Sequence, residues 1–506
     1  MFKLRSFQES QSGTVAIIYA LIALALFILI GGALDFSKHR TQSVIVQTAL
    51  DATALHMLQE FDLEETEFQA EARNFFDSNL SGFDALIDDF SIERTRTEVV
   101  TQATAQVETF FLGLIGIETL DVFRIAQGAL SSETREIALV LDTTGSMQGQ
   151  RIANLISASN LLLDNLESNT TSMATIRVGI VPFDQYVRVD TDTFPEEWLD
   201  IDGESGVAAE LFGDDINLLA LFDHLEQPWE GCVRSRMAAY AFTDEPANSI
   251  DVDTLFAPLF AYDEGDDGSF LNNYLTDAVA HPNGESSVRS VLKYGIQPGT
   301  EDSPNIWDDV TLNINGGNGP NQNCASEPII PLTDDYDALR DTINNLTAAG
   351  DTNLTEAIMW GQRVLSSEAP FTEGLPEDEI DNRKTLIFLS DGINSIDGGN
   401  ADLRSALATQ GYANVGEFST LLPPNPTEDD INDYLNEEFA LACEAIKQAN
   451  TQLIVIRLEI SDSESQTLLS ECASSPDDFF DVPDASQLDA VFAQLAERMS
   501  FPRLTQ

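Results

Sequence analysis

From Gly13 to Leu34 the chain reads GTVAIIYALIALALFILIGGAL, without a single charged side chain. A helix rises 1.5 Å per residue, so this stretch is long enough to cross a hydrocarbon core of about 30 Å. It therefore predicts a transmembrane helix over 13–34, and the rest of the chain has to fold around that constraint. The apolar run is longer than the core of a signal peptide, and no small-x-small cleavage site follows it, only Asp35-Phe36-Ser37-Lys38-His39-Arg40. An uncleaved, single-pass anchor is expected.

The flanking charges do not orient the anchor, because Lys3 and Arg5 before it are matched by Lys38 and Arg40 after it. The cysteines do. Cys232, Cys324, Cys443 and Cys472 all lie far C-terminal to the span, and none has CxxC spacing. An even number, falling as two pairs in two regions, fits two disulfides in an oxidising compartment. This gives a cytoplasmic stub over 1–12, with everything after residue 40 outside. The chain has 506 residues, 43% of them apolar, enough for two or three units with substantial cores. Asp and Glu outnumber Lys and Arg by 85 to 25, which excludes a polyanion such as nucleic acid as partner.

After the span, TQSVIVQTALDATALHMLQEF continues helical, with Val44, Ala49, Ala52, Leu55 and Leu58 as its apolar face. A second helical stretch, EETEFQAEARNFFDSNL, gives way to β-like text in TEVVTQATAQVETFF and LDVFRIAQGAL. Residues 35–130 thus form an α+β stalk of pilin-like pattern. From Glu136 buried strands alternate with amphipathic helices, the signature of a parallel α/β sheet, over 135–502. EIALVL is the first strand, followed by a helix with Ile152, Leu155, Ile156, Leu163 and Leu166 on one face; TIRVGIVPF is the second, and YVRV reads as a third. Residues from about 190 to 330 are rich in Asp, Gly, Asn and Pro, as in DEGDDGSF and NINGGNGPNQN, and read as an insertion, stapled if Cys232 pairs with Cys324. The α/β rhythm resumes with helices, the strand TLIFLS, a helix carrying Cys443, the last strand QLIVIRLEI, and a helix carrying Cys472. Leu488, Phe492, Leu495 and Met499 at helical spacing complete the core.

Three polar stretches end apolar runs of this sheet. Asp142, Thr144 and Ser146 follow the first strand in LVLDTTGSM, Thr352 lies in AAGDTNLT before a helix, and Asp391 follows TLIFLS. In a partly extended turn residues 142, 144 and 146 converge while 143 and 145 point away, and Gly145 lets the backbone bend. Carboxylates and hydroxyls are hard oxygen ligands suited to Mg²⁺, or to Mn²⁺ or Ca²⁺. Ligands of open α/β sheets bind beyond the carboxyl ends of strands, where these residues fall.

These residues resemble the von Willebrand factor A domain with its metal-ion-dependent adhesion site: Asp-x-Ser-x-Ser after strand one, a Thr in a Gly-x-Thr-Asn loop, and an Asp after strand four. Asp142, Ser146, Thr352 and Asp391 match, and Thr144 replaces the first serine while keeping its hydroxyl. The resemblance implies a Rossmann-like sheet of order 3-2-1-4-5-6. It also implies hydroxyl ligation by Thr144, Ser146 and Thr352, with Asp142 and Asp391 binding directly or through water. A carboxylate of a partner protein then fills the open position.

DTTGS and SDGINS also stand in the order of the DKTGT and GDGIND motifs of haloacid dehalogenase-like phosphotransferases, which would make Asp142 a phosphoacceptor. The lysine of that pattern is Thr143 here, its second later aspartate is Ser395, and one span cannot form a pump. His39, His56, His224 and His281 are scattered, and none lies beside a Cys or Ser in a nucleophile-like context. Asp263, Glu264, Asp266 and Asp267 miss EF-hand spacing and read as a solvated loop, while Trp229 and Cys232 in WEGCVRSR read as structural.

A second resemblance covers nearly the whole chain. QSGTVAIIYALIALALFILIGGALDFS, QTALDATALH, VETFF, EIALVLDTTGSM, CEAIK and LLSECAS look like TadG-like proteins of the tight-adherence (Flp) pilus assembly system. This implies a non-enzymatic inner-membrane protein whose TadE/G-like N-terminal region anchors a periplasmic A domain, with pilins or pilus assembly proteins as partners. Processed relatives are cut after a glycine and carry glutamate a few residues on; here Gly13 is followed by TVAIIY, with Ile18 at the glutamate position. The alternative within this reading is a surface or secreted adhesin that binds a host or matrix protein.

Overall fold

The structure is a computed structural model, and it describes residues 14–60, 63–95, 98–129, 134–170, 175–213, 216–264, 272–276, 290–295, 312, 314, 318–379, 382–396, 407–460 and 463–500. The stub 1–12, Gly13, Asp266, Asp267 and His281 lie outside them. The chain divides into two compact units, Met1–Ser132 and Glu133–Ser500.

In the first unit a single helix, α1 (Thr14–Gln59), contains the uncharged stretch from Thr14 to Leu34 and is long and apolar enough to cross a membrane. No proline interrupts it, and its only glycines are Gly31 and Gly32. Its second half packs with α2 (Glu65–Asn79) on an antiparallel sheet of order β1 (Leu86–Arg94), β2 (Glu98–Glu108), β3 (Thr119–Ala129). The buried face of α1 is Val46, Ala49, Leu50, Thr53, Ala54, Met57 and Leu58; of the expected face Ala49 and Leu58 are buried, Ala52 and Leu55 half-buried, and Val44 is 57% exposed. The face read from hydrophobicity is thus rotated. Thr53 accounts for this, since its hydroxyl donates to the Ala49 carbonyl at 2.7 Å and so enters the core satisfied. Strand β1 was not legible, because LIDDFSIER buries only Ile92 fully.

The second unit is a six-stranded sheet of order β6-β5-β4-β7-β8-β9, the 3-2-1-4-5-6 order of the von Willebrand factor A fold. Its strands are β4 (Thr134–Asp142), β5 (Ile176–Phe183), β6 (Ile330–Thr333), β7 (Asn382–Ser390), β8 (Gln452–Leu458) and β9 (Phe479–Val482). All neighbours pair parallel except β6, which runs antiparallel to β5 at the edge. Two expectations are corrected here. YVRV adds no sheet strand and makes only an isolated bridge between Arg188 and Cys232; the third strand is Ile330–Thr333, reached only after the insertion. QLIVIRLEI is not the last strand, since Phe479–Val482 pairs beyond it in a run too short to stand out by periodicity.

The continuous apolar text of β4 reflects burial on both faces. Ala138 and Val140 face a core shared with α8 (Leu354–Leu365), α10 (Glu428–Gln448) and α11 (Ser463–Cys472). Ile137, Leu139 and Leu141 face α3 (Gln150–Asn169), α7 (Tyr336–Asn345) and α12 (Leu488–Ser500). The central helix α8 approaches closely at Gly361, where a Cβ would collide with Val140 and Leu386.

The insertion carries α4 (Gly206–Phe212), α5 (Leu218–His224) and the short α6 (Ala238–Ala241), and it builds a core of its own around Leu211, Phe222, Phe260, Tyr262 and Tyr294. Leu407, Tyr412 and Val415 join that core from the β7–α10 connection, which also holds α9 (Gly416–Leu421) and went unread as a second excursion. Asp263 and Glu264 are buried rather than solvated. Asp263 pairs with Lys293 at 2.5 Å and accepts the Tyr274 and Leu275 N–H groups at 2.7 and 2.6 Å. Disulfides join Cys232 to Cys324 and Cys443 to Cys472, with Cα separations of 5.9 and 5.2 Å. The second closes a sequence separation of 29 residues, so replacing both Cys443 and Cys472 by alanine is expected to cost about 3 kcal/mol in urea unfolding.

Candidate metal centre

The chain lays down β4, moves outward through β5 and β6, then returns to the other side of β4 with β7. The crevice beyond the carboxyl ends of β4 and β7 is therefore the switch point at which open α/β sheets bind ligands. Asp142 is the last residue of β4, Ser390 the last of β7, and Asp391 the next.

Four of the five predicted residues meet there in one chain of hydrogen bonds. Asp142 Oδ1 accepts from the Thr144 N–H at 2.9 Å and from its hydroxyl at 2.6 Å. The Thr144 and Ser146 hydroxyls lie 2.8 Å apart, and Ser146 donates to Asp391 Oδ1 at 2.6 Å. Thr144 is buried with its hydroxyl in the chain, so the threonine that departs from the serine pattern keeps a hydroxyl at this position. Thr143 points away and donates to the Phe183 carbonyl at 2.8 Å. Gly145 does not adopt a left-handed φ. It is needed for close approach instead: its N–H donates to the Gly350 carbonyl at 2.9 Å, and a Cβ there would sit 3.2 Å from that oxygen.

Through this bond the loop carrying Thr352 packs on the Asp142 turn. Thr352 is buried and held by its backbone, which exchanges bonds with Ser395 at 2.9 and 3.0 Å. Its hydroxyl does not enter the chain that links the other four.

Sequence reasoning missed three further groups. The Ser390 hydroxyl donates to Asp142 Oδ2 at 2.6 Å. Arg151, on the first turn of α3, donates to Asp391 Oδ2 at 2.8 Å and to Glu459 at 2.6 Å. Asp184 is fully buried just beyond β5, beside Gly350, close enough for the Asp142 charge to raise its carboxyl. A signal for Asp184 was present, since IVPFD has the same form as LVLD and FLSD, an apolar run ended by aspartate.

Burial dominates the electrostatics. It pushes the Asp142 carboxyl up to about 6, with the Asp391 charge adding to the shift and the Ser390 and Thr144 bonds opposing it. Burial also raises Asp391, against Ser146 and Arg151, and raises Asp184 well above the carboxylate range. The Arg151 guanidinium pairs with Asp391 and Glu459, and Asp142 has no cation as a hydrogen-bond partner among the described residues. Among the described residues no group of three His, Cys, Asp or Glu side chains gathers as a metal cage. The donor set is instead two carboxylates, of which Asp391 is paired with Arg151, and two hydroxyls, hard oxygens that fit Mg²⁺ with part of its water shell retained. Ser146, the exposed member, opens the set to solvent.

Carboxyls raised in the folded state bind more protons there than in the unfolded chain, so their stabilisation is complete at low pH and is lost as they ionise. Glu438, raised by burial to about 7, acts in the same direction as Asp142. Metal-free protein is therefore expected to have a higher urea midpoint near pH 5 than at pH 7.5, the loss running from about 4 to about 7.

No known family model and no curated protein matches the sequence. Among solved structures, the pilus adhesin SpaC from Lactobacillus rhamnosus GG is 10% identical over 83% of this chain and 35% of its own, with a TM-score of 0.35. The vWF domain of the type V pili tip protein Mfa5 from Porphyromonas gingivalis is 10% identical over 74% and 98%, TM-score 0.34. The pilus adhesin RrgA from Streptococcus pneumoniae is 10% identical over 81% and 48%, TM-score 0.35. The chain spans about a third of the length of SpaC. Strand order and the crevice geometry, rather than these neighbours, carry the fold assignment.

Proposed function

We propose that this chain is a non-enzymatic, membrane-anchored assembly or adhesion factor that holds partner proteins through a divalent cation at the β4–β7 crevice. The observation that supports it is the convergence of Asp142, Thr144, Ser146 and Asp391 from two adjacent strand ends. When bound, the ion supplies electrophilic charge. Asp142 and Asp391 would hold it with only two carboxylates, so that it could take a third from an acidic residue of the partner. Thr352 is the proposed fifth ligand, positioned by the loop that Gly145 receives. The resemblance to TadG-like proteins supports pilins or pilus assembly proteins as the partners, and an inner-membrane location with the A domain in the periplasm. Cell fractionation separates this from a secreted adhesin, which would leave the membrane fraction.

A phosphoacceptor role for Asp142 is not favoured. Both of its oxygens are engaged, Oδ1 by Thr144 and Oδ2 by Ser390, and Arg151 pairs with Asp391 instead. The test is partner capture from solubilised membranes by wild type and Asp142→Ala, each with Mg²⁺ and with EDTA. Wild type with Mg²⁺ is expected to retain proteins absent from the other three samples; identical recovery in all four would refute the metal-dependent mechanism.

A further inference from the structure

The β2–β3 connection, Thr109 to Ile117, reads TFFLGLIGI and is bracketed by the exposed Glu108 and Glu118. Its apolar side chains are not gathered into the sheet core. Phe110 is 78% exposed, Leu114 66%, Ile115 51% and Ile117 44%, which is unusual for four large apolar groups in one short loop. The loop does not project into open space. It folds back along the uncharged part of α1, where the Phe111 ring stacks edge-on to Phe27 with centroids 5.7 Å apart and rests on Gly31 so closely that a Cβ would collide with it. Leu112 covers Gly32 in the same way, a Cβ there falling 3.1 Å from its side chain.

A membrane admits irregular backbone only where its polar groups are satisfied from within. Most N–H groups of this loop meet that demand. The N–H groups of Phe110, Phe111 and Leu112 all donate to the Asp35 carboxylate, at 3.1, 2.8 and 2.8 Å. Thr109, Leu114, Gly116 and Ile117 donate to carbonyls of the loop itself or of Glu118, which brackets it, and the Thr109 hydroxyl donates to the Ile117 carbonyl. Asp35, the first charge after the span, is thus solvated by three N–H donors of the loop it holds.

We propose that residues Thr109–Ile117 form a lipid-inserted wedge, seated on Gly31 and Gly32 of α1 and pinned by Asp35, that buries Phe110, Leu114, Ile115 and Ile117 in the leaflet next to the folded unit. The occupant of this apolar surface is lipid because the surface is continuous with the membrane-spanning part of α1; Phe111 cannot lie against Gly31 while the loop stays in water. Gly31 precedes Asp35 by one helical turn, about 6 Å along the axis. That places the wedge at the depth of amphipathic interfacial segments, with Glu108, Glu118, Lys38 and Arg40 marking the water line. The wedge fixes α1 against sliding and rotating in the bilayer.

The test uses the full chain in vesicles of phosphatidylethanolamine and phosphatidylglycerol. All four native cysteines are in disulfides, so an introduced cysteine is the single thiol to carry a nitroxide. With Leu114→Cys the label is expected to be accessible to oxygen and shielded from a water-soluble nickel chelate, at about 5–10 Å below the phosphates. Glu93→Cys, at the far end of the sheet, reports water, and Leu24→Cys reports the acyl core and so tests the span itself. Gly31→Leu, read through the Leu114 label, is expected to expel the loop into water while the Leu24 label stays in place. A nickel-accessible Leu114 with a buried Leu24 overturns the wedge alone, as does a Leu114 shielded from both reagents, which would mean a covering protein. A nickel-accessible Leu24 overturns the anchor and the wedge together.

Discussion

Asp142→Asn is expected to stabilise the metal-free protein at pH 7 and to abolish its response to Mg²⁺. The side chain keeps its shape. The amide oxygen can still accept from Thr144, and the amide nitrogen can donate to the Ser390 hydroxyl, which then turns its proton to the Gly392 carbonyl 3.2 Å away. What disappears is a buried charge next to Asp391. A carboxyl at about 6 in the folded state and 3.8 outside it destabilises the ionised fold by up to about 3 kcal/mol at pH 7, and the neutral amide removes that term. The readout is urea unfolding of the full chain in detergent, followed by tryptophan fluorescence. All four tryptophans lie between residues 198 and 360, so the signal reports the larger unit. Wild type should gain stability with Mg²⁺ and lose that gain as pH falls below about 6, where protonation of Asp142 competes with the ion. A variant that is less stable than wild type in EDTA, yet still responds to Mg²⁺, would contradict the reading of Asp142.

Glu356→Leu is expected to be among the most destabilising single changes in the chain. Glu356 is buried on α8 and accepts from Arg363 at 3.1 Å, from the Trp360 indole at 2.6 Å, and from the Ser235 hydroxyl of the insertion. Arg363 is equally buried, and its guanidinium is held below its ordinary range first by that burial. Arg236, lowered to about 9 by burial and by the Arg363 charge, lies close by. Without Glu356 the buried Arg363 loses its carboxylate and faces the Arg236 charge, which costs about 3–5 kcal/mol. Because the pair is itself expensive to desolvate, Glu356→Leu combined with Arg363→Met should recover most of the loss. Urea unfolding of the single and double variants checks both, and Mg²⁺ should still stabilise each of them.

Much of this architecture was legible because it follows from local rules. The span was readable from the absence of charge, and the sheet from apolar runs alternating with helices. Asp142, Thr144, Ser146 and Asp391 stood out because polar residues closed apolar strands at the ends where α/β sheets bind ligands. Failures came where a local pattern was overruled. Thr53 counted as polar until its back-bond to Ala49 carried it into the core. YVRV looked like a strand, but the edge of the sheet was taken by Ile330–Thr333 from beyond the insertion. Asp263 looked solvated because its partner, Lys293, is thirty residues away in sequence.

The amino-acid sequence by itself determined the elements: where the chain is apolar enough to enter a membrane, where it forms strands, and which residues can offer hard oxygen ligands. Only the tertiary structure decided which of these act together. Hydrogen bonds and ion pairs depend on distance, and distance between remote segments is set by packing. Packing brought Asp391 to Ser146, Arg151 to Asp391 and Ser390 to Asp142, and laid Phe111 on Gly31. It left the Thr352 hydroxyl beside that network without joining it, although the sequence motif treats all five residues alike.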